Sequence, residues 1–180
     1  MPPPVPASEL GFPLSGTTGE PARPPVLLLA IGFAWLSAVG VIAAYAAWWW
    51  RSAGVVGFPT SARLMEWTKP DPVSALAIVL VIAIGLIGLL MVAAAGTVAY
   101  NAWAGARWIR VGGLVALAVQ CLSFLVNWWF SAAMIPLAVA VALFWFPRVK
   151  AFLAAMAAKD EVPPIVVPTT GIAYGPQPLI

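Results

Sequence analysis

The sequence predicts an all-α integral membrane protein with four transmembrane helices, both termini cytoplasmic, and an extended proline-rich tail at each end. Three observations carry that expectation. Hydrophobic residues make up 63% of the 180-residue chain and charged residues 8%, where soluble domains carry about 25% charge. The stretch Val73–Tyr100 holds neither a charge nor a proline. As a helix it would run roughly 42 Å, longer than a hydrocarbon core of about 30 Å. Finally, nine of the ten tryptophans gather near the ends of the apolar stretches, as aromatic belts at the two membrane interfaces do, and Trp35 alone falls mid-span.

Residues 1–25 contain Pro2, Pro3, Pro4, Pro6, Pro13, Pro21, Pro24 and Pro25. Proline fixes φ and removes a backbone donor, so this arm is predicted to be extended and partly polyproline II. Its charges are Glu9, Glu20 and Arg23, not the basic cluster that opens a secretory signal. The first span, 26–50, is therefore expected to be an uncleaved signal-anchor helix. Ala30, Ala34, Ser37, Gly40 and Ala44 recur along it at intervals of three and four, one face on which a second helix can approach closely.

The connection 51–72 carries an amphipathic hint. Thr60 or Ser61 is predicted to cap a short interfacial helix through Ala62, Leu64, Met65 and Trp67. Asp71-Pro72 then reads as N-cap and first helical position of the second span, 73–100. Ser74, Ala77, Gly85, Gly88, Ala95 and Ala99 form a stripe of small residues there, completed by Val81 and Val92. Lipid tails are as apolar as leucine, so helices associate in membranes by close packing, and this stripe is expected to be a tight seam.

Asn101–Arg110 reads as a tight turn. The third and fourth spans are predicted at 111–129 and 131–146, an antiparallel hairpin with Pro136 near the first turn of its second arm. Pro147 should bend or end that helix, and 148–160 is expected to continue as an interfacial helix. Gln120, Ser123 and Asn127 stand three and four apart on the third span, so they are predicted to share a face and to bond across to a neighbouring helix. A polar cavity touching a quinone or lipid headgroup is the functional alternative at that face.

Orientation follows from lysine and arginine. Arg23, Arg107, Arg110, Arg148, Lys150 and Lys159 fall on one side of four spans, and Arg51, Arg63 and Lys69 on the other. That asymmetry predicts cytoplasmic termini in a plasma-membrane protein.

The functional content is largely exclusion. The chain has no histidine and a single cysteine, Cys121, which removes the usual general base and any internal dithiol. No expected span contains Asp, Glu, Lys or Arg, the side chains that mark proton relays and ion pathways. No basic run suggests nucleic acid, and no cofactor or metal motif is present. The tail 161–180 reads differently. Its prolines rule out regular helix, yet Ile165, Val166, Val167, Ile172, Tyr174, Leu179 and Ile180 are apolar, as suits a peptide lying in a groove on another protein.

Four spans, a proline-rich arm and the turn GARWIRVGG at Gly105–Gly113 resemble small four-helix membrane proteins of actinobacteria, some of which are accessory subunits of respiratory supercomplexes. The resemblance implies a non-catalytic accessory or assembly subunit that acts by helix packing and tail docking, with other integral membrane subunits as partners. A small oligomeric channel or transporter with a polar third helix is the alternative expectation.

Overall fold

The computed structural model describes residues 13, 15, 16, 20–54 and 57–160, and these residues are helical without a β-strand. Six α-helices follow in order: α1 (Pro25–Ser52), α2 (Arg63–Thr68), α3 (Ala75–Trp103), α4 (Ile109–Gln120), α5 (Trp128–Leu143) and α6 (Pro147–Asp160). A 3-10 turn at Cys121–Leu125 prolongs α4, and a second at Phe58–Thr60 precedes α2. α1 and α3 are long and apolar enough to cross a membrane; α5 and α6 meet that test only as a pair bent by 69°. A lipid environment fits these helices.

α1 begins where its sequence dictates. Pro24 is extended and Pro25 takes the first turn, where a missing N–H costs nothing. Ahead of it the chain folds back on itself instead of running straight: Ser15 N donates to Glu20 O at 2.7 Å and Ala22 N to Pro13 O at 2.8 Å. The predicted cap of α3 moves by three residues. Ser74 is the N-cap, its hydroxyl accepting from Ala77 N at 3.2 Å. Asp71 is spent in the turn before it, where Oδ1 accepts from Val73 N and the carbonyl from Ser74 N.

The interfacial helix between the first two spans exists as α2, but neither Thr60 nor Ser61 caps it. Its N-cap is Ala62, with no side-chain bond, and the Ser61 hydroxyl donates backward to Phe58 O at 2.8 Å. What holds α2 is Arg63. Its backbone N donates to Val126 O at 2.7 Å and its Nη1 to Phe124 O at 2.9 Å, satisfying carbonyls at the end of the 3-10 turn.

The second half departs further from expectation. The third rod runs 109–125 and α5 starts at Trp128, each a few residues earlier than the predicted 111–129 and 131–146. Pro136 therefore lies inside α5, not near its first turn. Its ring leaves the Ala132 carbonyl without an intrahelical donor. Pro147 ends the α5 region as expected, and a turn at Phe144–Phe146 leads into α6. α6 lies against the bundle: Val149, Phe152, Leu153 and Ala155 are buried, with Val149, Phe152 and Leu153 in one cluster with Leu27, Ile109 and Phe144.

α1 packs mainly between α5 and α3, and α4 joins α3 to α5. Hydrogen bonds tie the helix ends in two groups. At one end Arg23 Nε donates to Trp103 O, Arg107 Nη2 to Ala157 O and Arg110 Nε to Phe144 O, capping carbonyls of α3, α6 and the turn after α5. At the other end sit Arg63 and the 3-10 turn it latches. Gly105, at φ +73°, makes the α3–α4 turn, and a Cβ there would lie 2.9 Å from Met156 Cγ.

Candidate functional site

The interior of the bundle divides into two apolar clusters, one toward α6 and one toward α2. Along α1 the boundary falls between Ala38 and Val41, along α3 between Met91 and Ala95, and along α5 between Ala133 and Leu137. A buried polar node occupies that level. Ser37 Oγ donates to Ala133 O at 2.7 Å. Gln120 Nε2 donates to Ser37 Oγ and to Met91 O, each at 3.4 Å. Through one hydroxyl and one amide, the node joins α1, α3, α4 and α5.

Each helix supplies its part for a local reason. Ser37 is the hydroxyl in a face otherwise made of Leu27, Ala30, Ala34, Ala38 and Val41, all buried. Its acceptor, Ala133 O, is on α5 one residue beyond Ala132, whose carbonyl is the one that Pro136 leaves without an intrahelical donor. Gln120 is the last residue of α4, where the rod tightens into the 3-10 turn. Both side chains are fully buried.

Three buried polar atoms among the described residues have no partner: Gln120 Oε1 in the node, Ser123 Oγ one turn beyond it, and Trp48 Nε1 in the cluster toward α2. Ser123 is also fully buried. Asn127 does not share their face, contrary to expectation. The helical register is lost at Val126, and Asn127 is instead the N-cap of α5, its Oδ1 accepting from Trp129 N at 3.0 Å and Phe130 N at 3.2 Å. Asparagine is among the strongest N-caps, and its position just before the WWF run was the available signal.

The small-residue positions separate into two kinds. Gly88, Ala95 and Ala99 are buried on α3, Gly88 within 3.6 Å of Phe130 and 3.5 Å of Tyr45, measured from where a Cβ would stand. Gly40 on α1 meets α5 in the same way, 3.2 Å from Ala133 Cβ. Gly85 is only half-buried and faces the Tyr45 hydroxyl at 3.4 Å. It and Gly88 floor a cleft of about 390 Å3 between α1 and α3, lined also by Val41, Tyr45, Leu89 and Val92. Tyr45 was not singled out from the sequence, since a lone tyrosine in an apolar run carries no periodic signal. The tail residues Ile165, Val166, Val167, Ile172, Tyr174, Leu179 and Ile180 lie outside the described residues.

Chemically the node can hold helices together and donate or accept hydrogen bonds. Among the described residues the buried polar side chains are Ser37, Ser61, Gln120 and Ser123, none of them an acid or base near neutral pH. No group of His, Cys, Asp or Glu among the described residues is arranged to hold a metal ion. Cys121 is exposed and its thiol lies 3.6 Å from Leu117 O.

Fold and site together define an all-helical protein suited to a membrane and tied internally by a polar node. No protein-family model matches the chain, and no curated protein or solved structure matches it.

Proposed function

We propose that the chain is a non-catalytic accessory or assembly subunit of a larger integral membrane complex, crossing the plasma membrane four times with both termini in the cytoplasm. A respiratory cytochrome–oxidase assembly is the candidate host, on the layout and the Gly105–Gly113 turn alone. The observation that carries the subunit reading is the α1–α3 cleft. Its floor is glycine, its walls are mostly apolar, and two of its lining residues, Ile42 and Leu89, are exposed. Backbone reachable at that depth is what a transmembrane helix of a partner packs against.

Length supports the two shorter crossings. Residues 109–125, part α and part 3-10, extend roughly 28 Å, close to the thickness of the hydrocarbon core. α5 adds about 24 Å, and the apolar turn Phe144–Phe146 lengthens it. The alternation of end ties supports the same path, because Arg23, Arg107 and Arg110 bond at one end and Arg63 at the other. An interior of hydroxyls and an amide supports a packing role over ion relay.

Gentle solubilisation of the native membrane, tagged isolation and identification of the co-purifying chains tests the proposal. Stoichiometric integral membrane subunits are expected, and Gly85→Leu should release them while the chain stays inserted. A solitary, monodisperse small oligomer would overturn the subunit reading. Cysteine labelling separates the topology: Lys69→Cys should react from outside and Ala106→Cys from inside.

A further inference from the structure

Of the side chains that line the α1–α3 cleft, Tyr45 alone carries a polar atom. Its ring is held from two sides. Cδ2 lies 3.5 Å from where a Cβ of Gly88 would stand, and the Trp48 ring is 5.4 Å away, tilted by 43°. The ring runs along α3 and ends with its hydroxyl 3.4 Å from the Cβ position of Gly85. That places the oxygen at the glycine floor, where Tyr45 is half-buried and its hydroxyl makes no hydrogen bond with any described residue.

Both helices put this hydroxyl within the hydrocarbon. With α1 and α3 centred in a bilayer, Tyr45 stands roughly 10 Å from the middle of the first and Gly85 roughly 6 Å from the middle of the second. The half-thickness of the core is about 15 Å. Acyl chains offer a hydroxyl no acceptor, and a hydroxyl in hydrocarbon without one is costly. Whatever fills the cleft well must therefore bring an oxygen to its floor. Resting on the subunit reading, we infer that the partner helix seated here carries a serine, threonine, asparagine or glutamine whose side-chain oxygen accepts a hydrogen bond from Tyr45. Glycine at 85 and 88 lets that helix approach closely, and polar side chains of this kind join helices across membranes. A purely aliphatic segment of the same shape fills the volume and leaves the phenol unpaired, so the hydroxyl discriminates among partners as well as holding one.

Tagged isolation of the full chain through graded detergent washes, with the co-purifying subunits quantified, tests the pairing. Tyr45→Phe keeps the ring against Gly88 and Trp48 and removes only the hydroxyl. It should lower retention of the partner about threefold or more, as the loss of one interhelical hydrogen bond predicts. Tyr100→Phe, exposed toward the other end of α3, should leave retention unchanged. Replacing Tyr45 with p-benzoylphenylalanine and irradiating the assembled complex should give an adduct to a transmembrane segment of the co-purifying subunit, with one of those four polar residues within a helical turn of the attachment point. A partner released by Gly85→Leu but fully retained by Tyr45→Phe would overturn the pairing and leave the subunit reading standing; a chain that isolates alone would overturn both. Equal losses from Tyr45→Phe and Tyr100→Phe, or an adduct to lipid, to a second copy of this chain or to a segment lacking those residues, would overturn the pairing as well.

Discussion

Replacing Gln120 with methionine should barely change stability, whereas Ser37→Ala should cost more. The difference follows from the bonds each makes. Gln120 Nε2 reaches both acceptors at 3.4 Å, at the long edge of N–H···O geometry, whose usual distance is about 2.9–3.0 Å. Interhelical hydrogen bonds in membranes average about 0.6 kcal/mol, so the two together contribute roughly 1 kcal/mol. Against them stands the fully buried and unpartnered Oε1, which costs about 1 kcal/mol or more. Methionine removes both at similar volume, and the net change should fall within about 0.5 kcal/mol.

Ser37→Ala removes a 2.7 Å bond to Ala133 O, near the best O–H···O distance. It also takes away an acceptor of Gln120, which then has Met91 O alone. The expected loss is about 1.5 kcal/mol, toward the upper end measured for such bonds. In the double variant the losses should not add, since the two residues share a contact. Reversible unfolding by sodium dodecyl sulfate in mixed micelles, followed by helical circular dichroism, measures all four chains. If Gln120→Met proved more damaging than Ser37→Ala, the amide would have to hold a stronger partner than the described ones, and the reasoning would fail.

Gly88→Ala should be tolerated or mildly stabilising, by up to about 1 kcal/mol, because its Cβ would find Tyr45 and Phe130 at ordinary contact distance. Gly88→Leu should destabilise by about 1–3 kcal/mol and Leu89→Ala, two-thirds exposed, by far less; the same unfolding assay ranks them. Gly105→Ala should cost about 1–2 kcal/mol from the left-handed backbone alone, and more if Met156 cannot shift from its 2.9 Å approach; thermal unfolding of the helical signal reads it. Deleting Pro163–Ile180 should weaken co-purification of partner subunits while leaving membrane insertion intact, and unchanged co-purification would count against a docking tail.

How far the sequence was legible depends on whether a boundary is set locally. α1 was readable because Pro24 and Pro25 mark its start and an uncharged run carries it to Arg51. The start of α3 was misplaced because Asp71 and Ser74 both offer a capping oxygen, and the Asx-type turn from Asp71 to Val73 decides between them. The end of α4 had no local marker. From Leu114 to Ile135 there is neither glycine nor proline, and the helix breaks where Arg63, 61 residues away in sequence, bonds to Phe124 O. Pro136 was misjudged in consequence, since its position in α5 depends on where that helix begins. The node was half legible: Gln120 and Ser123 stood out as polar, but the acceptors that the node uses, Met91 O for Gln120 and Ala133 O for Ser37, are backbone atoms that no residue type announces.

Val73–Tyr100 dominates the sequence by its apolar length, yet α1 is the helix around which the bundle is built. In its most apolar window 39% of α1 is buried inside the protein against 28% for α3. In water that ordering would be paradoxical, because the more apolar helix would gain most from burial. In lipid no such gain exists. Ile78, Ile82, Leu86 and Leu89 can face outward on α3 at 56–66% exposure because acyl chains solvate them as well as protein would. What selects the central helix is access to backbone. α1 offers Ala30, Ala34, Ser37, Ala38, Gly40 and Ala44 over nearly half of its circumference, wide enough for α3 and α5 both to close on it. α3 offers one such stripe, and its Gly85 end is left open beside Tyr45. A broad face of small residues therefore marks the hub of a membrane bundle, and a narrow stripe of them on a highly apolar helix marks its margin, where a partner has room to join.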